Sequence, residues 1–305
     1  QLPPVGQTLS PALDRRHLEG YGLHVTDYEL TAVARQTQES GILHNATWLR
    51  QQIATDNTHT FPTLQTRGFS DIRRLDGIDI QEWIENSYDE VGMEETMVVT
   101  RTNRRSTLYN QGIRGRILWH EDLLQTGDRI MVTRNNYFWS KDYEQIDFIA
   151  NGDIFEVTHT HNECELYGFR FVDADLQSVD YDWEISATLL LDSLTADTQE
   201  AIRAIQNTLF EQVAADYPEI HSRRELVKKV MESPYFNALQ VRHAYAATCH
   251  KAQGGQWKHV FIDPGTLQPE QINTDFYRWL YTAVTRATER VFLLNMSQKK
   301  HHDGM

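Results

Sequence analysis

Residues 245–262 read YAATCHKAQGGQWKHVFI, and this stretch decides the class of the fold. AYAAT has the composition of a strand, HKAQGG is a polar turn, and HVFID, which runs on from the turn, is a second β-rich run. The first strand delivers Thr248 and His250 to the turn, and Lys251 is placed there to neutralise negative charge. Gly254-Gly255 lets a phosphate or another backbone come close. Donors that converge at the carboxyl end of a strand suit a phosphate-rich ligand. The plain alternative is a Gly-Gly turn beside surface polar residues, and the segment alone leaves both readings open.

Downstream, WLYTAVTRATERVFLL (279–294) predicts a helix followed by a buried strand. Tyr281, Val284 and Ala287 are expected on one helical stripe. Arg286, near the helix end, either sits on the helix dipole or projects towards charge on a neighbour, as an arginine finger does. Upstream, Tyr28–Arg35 predicts a strand, ILHNATWLRQQIA and Asp79–Ser87 predict helices, and TMVVT (96–100) predicts a strand. Asn103 is the expected cap of the helix RRSTLYNQGIRGRIL. Between 127 and 190 the texture changes to short β-rich runs separated by Asn, Gly and Asp, which predict a small barrel or compact antiparallel sheet. An amphipathic helix is expected over Thr195–Tyr217, capped by Thr195 or Asp197, with a second over SRRELVKKVMES. One α/β domain is thus read as split by a β insertion and a helical insertion, with no internal repeat.

The 305 residues carry a net charge of −14, but unevenly. Windows 51–100 and 151–200 together hold −18, so the other 205 residues hold +4. Five arginines and no acid lie between Arg101 and Arg116, a run whose plain reading is a solvated helix face. Net charge therefore does not exclude a nucleic-acid partner. Two cysteines, Cys164 and Cys249, exclude a disulfide scaffold and point to a reducing, cytoplasmic setting. No apolar run approaches the roughly 18 residues of a membrane span, and no membrane partner is expected.

Taken together, these segments resemble superfamily-1 helicases of the RecD-like (SF1B) branch, a group that includes exodeoxyribonuclease V alpha subunits. YAATCHKAQGGQW and YTAVTRA resemble motifs V and VI, QLPPVG with SPAL resembles motif III, and ELTAVARQTQESGIL resembles motif IV. VVTRTNRRSTLYNQGIR resembles motif IVa, and GDRIMVTRNNY with NGDIFEV resembles the SH3-like barrel inserted in the second RecA-like domain. The matches run in family order from Gln1 to Asn295; the helices of 191–237 match nothing nameable. The resemblance implies an α/β, RecA-like (P-loop NTPase-type) parallel-sheet domain over 28–126 and 238–296. An SH3-like barrel would be inserted at 127–190 and an acidic helical segment at 191–237. Residues 1–27 would be a remnant of the first RecA-like domain and 297–305 a disordered tail.

The same resemblance assigns roles. Gln1, Arg35 and Arg286 would face the γ-phosphate, and Gly254, Gln256 and Tyr281 would lie at the nucleotide. Thr100, Asn103, Thr248 and His250 would hold DNA phosphates, supported by Lys251. Gln256 departs from the family's usual Glu and accepts a hydrogen bond without charge. The sequence has no Gly-Lys dipeptide, hence no G-x-x-x-x-G-K-[ST] loop, and no apolar strand ending in Asp-Glu. The expectation is a C-terminal half that uses ATP and Mg²⁺ only with ligands from a missing N-terminal RecA-like half, and is inactive alone. Single-stranded DNA and nuclease or repair subunits are the expected partners. The alternative is a non-catalytic nucleic-acid- or partner-binding module that has lost the ATPase half.

Three lesser signals remain. His159, His161 and Cys164 form H-x-H-x-x-C, with Cys164 expected past a turn and no fourth ligand, so no metal site is assigned. Tyr137, Trp139, Tyr167 and Trp183 are expected in the barrel core before they are expected to stack on bases. Asn45-Ala46-Thr47 fits the glycosylation pattern by accident.

Overall fold

A computed structural model of the chain describes residues 14–26, 40–75, 80–196 and 198–296. Gln1, Arg35, the strand expected over Tyr28–Arg35 and the tail expected over 297–305 lie outside the described residues. The helices are α1 (Arg15–Gly20), α2 (Gly41–Ala54), α3 (Ile80–Val91), α4 (Asn103–Arg116), α5 (Gln199–Ala215), α6 (Arg223–Met231) and α7 (Thr274–Val284). The strands are β1 (Ile72–Leu75), β2 (Thr96–Thr100), β3 (Arg129–Val132), β4 (Ile154–Leu166), β5 (Phe169–Ser178), β6 (Glu184–Leu190), β7 (Leu239–His243), β8 (Ala246–Thr248), β9 (Trp257–Asp263) and β10 (Ala287–Leu294). They fall into two units, residues 1–99 with 252–305, and residues 100–251. Among the described residues no helix is long and apolar enough to cross a membrane.

In the first unit the strand order is β1-β10-β9-β2, with β1 and β9 both parallel to β10. All of β2 and all but one residue of β9 are buried, as parallel strands packed on both faces require. β9, α7 and β10 form one strand–helix–strand unit in which Phe261 pairs with Phe292, their rings stacked at 4.5 Å. The helix turns Phe276, Trp279, Leu280 and Val284 inward, and burial of each such side chain contributes about 1.5–3 kcal/mol. It ends at Val284, so Ala287 is not on the expected helical stripe but opens β10, opposite Trp257. At α2 the Asp71 carboxylate accepts from the Ser40 hydroxyl at 2.5 Å and from the N–H groups of Gly41 and Ile42 at 2.9 and 3.2 Å. A negative charge there meets the positive end of the helix dipole and ties α2 to the strand that follows Asp71. Asn45 is buried in α2, its amide nitrogen donating to the carbonyls of Gly41 and Gln65, which leaves it unavailable for glycosylation.

In the second unit β3 to β7 close a barrel, antiparallel at every pairing except β6–β7. The barrel takes its fifth strand, β7, from the segment expected to open the returning α/β domain. Leu239 and Val241 of that strand join Ile130, Phe155, Leu176 and Leu189 in the barrel core. Helices α5 and α6 therefore lie between the fourth and fifth strands rather than after the barrel, since parallel neighbours need a crossover connection. They close over a small core of their own with Phe171, Leu190, Leu209, Val213 and Val230. Trp139 and Trp183 pack on the barrel core and Tyr167 on the helical one, whereas Tyr137 is 60% exposed. Helix α5 is capped by Thr198, whose hydroxyl accepts from the Ala201 N–H at 3.1 Å, rather than by Thr195; Asp197 lies outside the described residues. Helix α4 is capped by Thr102, one residue before the expected Asn103. In each case the residue whose side chain reaches the third helical N–H takes the role.

Helix α4 is fixed to the barrel by two polar clusters. Asn110 donates to the carbonyls of His243 and Ala246 and accepts from the N–H groups of Tyr245 and Ala246, so all its capacity is used. Asp128, fully buried, accepts from Arg114 Nε and Nη2 at 2.8 Å each, from the Tyr245 hydroxyl at 2.9 Å and from the Gln125 N–H at 2.9 Å, with His120 Nδ1 also at 2.9 Å. Arg114 is thus no part of a solvated face: in the arginine run 101–116, Arg104 and Arg116 are exposed, Arg101 and Arg105 half-buried, and Arg114 is in this buried ion pair.

Candidate nucleic-acid interface

The amino end of α4, strand β8 and the turn after it stand beside β3 and β7 of the barrel, all within the second unit. Between them lies a cavity of about 200 Å³ lined by Asn103, Thr248 and Lys251, and by Arg134, Arg242 and Thr198. Asn103 opens α4, where the first N–H groups of a helix face outward and favour anions. Thr248 ends β8, and its carbonyl accepts from the Lys251 N–H at 2.8 Å, which curls the turn so that the lysine reaches back to the cavity. The Lys251 ammonium donates to the Asn151 side chain. Burial, and then the neighbouring Arg242 charge, push the Lys251 pKa down to about 8. Among the described residues no carboxylate lines this cavity. Three cations line the cavity together, one of them partly desolvated, and entry of an anion would relieve their mutual repulsion.

Of the five expected DNA contacts, the structure brings together Asn103, Thr248 and Lys251. His250 is exposed on the turn outside the cavity lining. Thr100 is fully buried beneath it, its hydroxyl donating to the Thr102 carbonyl at 3.1 Å, where it shapes the entry to α4. Arg134 and Arg242 are additions. Arg242 could be read from sequence only by assigning LQVRH to the barrel, where the period-2 pattern turns Leu239, Val241 and His243 one way and Arg242 the other. Arg134 lies two residues past the end of β3.

In the first unit a second group forms around the Gly-Gly turn. Arg286 donates from Nη1 to the Gly255 carbonyl at 3.0 Å, from Nε to the Thr282 carbonyl at 3.0 Å and from Nη2 to the Thr285 hydroxyl at 3.2 Å. It therefore caps the end of α7 and joins it to the turn, bringing Gly254, Gln256 and Arg286 close together. Gly254 has φ +101°, in the region that favours glycine, and a Cβ on Gly255 would stand 2.4 Å from the buried Trp257 ring. Tyr281 is half-buried on α7, one turn and a half before Arg286.

His159 and His161 lie on one strand with their rings 5.8 Å apart. Cys164 is on that same strand, after a register shift rather than past a turn, and sits against the helical core. Among the described residues no three metal-ligating side chains converge.

Residues 243–294 match the UvrD-like helicase C-terminal domain family. An uncharacterised protein of Acanthamoeba polyphaga mimivirus, R530, is 21% identical over 95% of this chain and 66% of its own length. A Pif1 helicase from Bacteroides, solved with ADP-AlF3 and single-stranded DNA, is similar at 16% identity with a TM-score of 0.43, over 87% of this chain and 51% of its own. A Pif1 helicase from Candida albicans is similar at 11% identity with a TM-score of 0.39, over 87% and 55%. The chain thus spans about half the length of these solved structures and just under two thirds of the viral relative. The stretch that holds Gly254, Gln256, Tyr281 and Arg286 is therefore similar to the C-terminal domain of UvrD-like helicases, and the resemblance to the C-terminal half of a superfamily-1 helicase stands on that match.

Proposed function

We propose that the chain is the DNA-gripping C-terminal half of an ATP-dependent helicase of RecD-like type, which moves along single-stranded DNA and unwinds duplex when an N-terminal RecA-like half completes it. The observation that supports this most is the cavity in the second unit, where Asn103, Thr248 and Lys251 meet Arg134 and Arg242 from separate segments. A row of phosphates fits such a cationic wall, and it would provide most of the affinity. At the Gly-Gly turn, Arg286 and Gln256 fit one edge of a nucleotide. Arg286 donates to three neutral oxygens there, and phosphate oxygens would accept stronger, charge-assisted bonds from it. ATP would supply the free energy that switches the grip on and off. The described residues do not fit Mg²⁺, lacking a convergent ligand set, so its ligands and the phosphate loop are assigned to the other half.

The test is fluorescence anisotropy of a labelled oligothymidylate against the purified chain across a salt series. Binding is expected to weaken steeply with salt. Lys251→Ala and Arg242→Ala should each lower affinity and reduce the salt slope by about one phosphate's worth. Affinity that ignores salt, or that neither substitution moves, would overturn the reading.

A further inference from the structure

A second cavity, of about 270 Å³, adjoins the first in the same unit and shares Arg134 and Gln240 with it. Its walls come from the barrel loop 134–141, which contributes Tyr137, Phe138 and Lys141, and from the helical insertion, which contributes Gln206 and Met231. Helix α5 runs along both. Thr198 and Ile202 line the first cavity and Gln206 the second, a spacing of four residues that puts them on one helical face. That face carries no charge. Glu200 and Glu211 fall roughly opposite it around the helix, so the acidity of α5 is turned away from the cavities.

The loop facing α5 is held rigidly. Asn136 accepts from the N–H groups of Phe138 and Trp139 at 2.9 and 3.1 Å, and both Asn136 Nδ2 and Trp139 Nε1 donate to the Asn237 carbonyl. Arg134 reaches across to Gln206 at 2.6 Å. Tyr137 stacks on Phe148 at 5.2 Å and 28°, yet remains 60% exposed, so its outer face is open. The Lys141 ammonium lies 4.9 Å over the Phe138 ring. Cations, a neutral wall and an exposed, backed aromatic ring are the parts from which single-strand recognition is built.

We infer that the helical insertion walls a second groove that carries a nucleic-acid single strand onward from the phosphate-lined cavity, with Tyr137 as the platform on which one base stacks. This rests on the nucleic-acid reading above. It gives α5 a role: an uncharged guide whose opposite side, carrying Glu200 and Glu211, would repel a strand that strayed.

The test uses the full chain and labelled dT15 in the anisotropy assay at fixed salt. Tyr137→Ala should weaken binding about fivefold or more, and Tyr137→Phe should restore it. Gln206→Glu should weaken binding, and Glu211→Gln should leave it unchanged. An abasic site moved along dT15 should abolish the Tyr137→Ala effect at one position only. If Tyr137→Ala and Gln206→Glu bind as the native chain does while Lys251→Ala is impaired, the groove is wrong and the interface stands. If the native chain does not bind dT15, both fall. Tyr137 is exposed, so an unchanged thermal melt is expected and separates binding from folding.

Discussion

Asp128 offers the sharpest test of how the second unit is held together. Replacing it with Asn keeps the shape of the side chain and one oxygen. Placed at Oδ1, that oxygen still accepts from Arg114 Nε and Tyr245 and meets His120. The new NH₂ group then stands where Oδ2 accepted from Arg114 Nη2 and the Gln125 N–H, so donor faces donor twice. Two hydrogen bonds to the charged carboxylate, about 1.5–3 kcal/mol each, are lost. The Arg114 charge is also left buried without its counter-charge, and breaking such pairs costs about 3–5 kcal/mol in all. Asp128→Asn should therefore destabilise the unit by about 3–4 kcal/mol. Followed by the fluorescence of Trp139 and Trp183, the urea midpoint should fall by roughly 1–3 M. Adding Arg114→Met removes the stranded cation and should recover at least about 1 kcal/mol. A loss below about 1 kcal/mol, or a double variant no more stable than the single one, would refute the reasoning.

Acid should act on this cluster in two steps. Burial, and then the Arg114 charge, push the His243 pKa down to about 4. The unfolded chain binds that proton from about pH 6.5 downward, so stability falls between pH 6.5 and 4 by up to about 3 kcal/mol. Burial alone would raise the Asp128 pKa, but its hydrogen bonds from Arg114, His120 and Gln125 outweigh that and hold it below the ordinary value. Its contribution is present above about pH 4 and lost as the pH falls further; thermal melts against pH should show both steps, and a flat profile between 6.5 and 4 would contradict the first. In the first unit, Gly255→Ala drives a Cβ into Trp257 and should cost about 1–3 kcal/mol by calorimetry, while Gly112→Ala on α4 of the second unit, with open space at its Cβ, should not. Arg286→Ala should leave oligothymidylate binding by the chain intact. In a protein completed by its N-terminal half it should lower ATP turnover about 10³–10⁵-fold, and a smaller loss would remove Arg286 from the phosphate.

Strands β2, β9 and β10 were legible because TMVVT, WKHVFID and the end of ATERVFLL are buried on both faces and so read as nearly unbroken apolar runs, whereas β1, IRRL with its two arginines exposed, was not read. The barrel was legible in its four local strands, whose alternation is plain in β5. β7 was not, because its partners are distant in sequence and nothing in LQVRH by itself says whether it pairs with β3 or with a strand of the parallel sheet. The site divided in the same way. Asn103, Thr248 and Lys251 follow from family motifs, whereas Arg242 and Arg134 depend on the missed strand and the loop after β3. The burial of Thr100 and the inward turn of Arg114 follow from tertiary packing, which residue type does not announce.

The placement of the helices between β6 and β7 has a consequence for how the chain is made. On a ribosome, β3 to β6 emerge together, but the strand that joins β6 back to β3 arrives only after residues 191–238 have been added. At about 5–20 residues per second, the unfinished barrel stands open at both edges for roughly 2–10 s. Open edges of that kind invite pairing with other nascent chains. Helix α5 packs on Phe171 and Leu190 near the β6 edge, and it is synthesised before β7. The hairpin of α5 and α6 is thus positioned to act as a splint during synthesis, covering one edge until the last strand completes the ring.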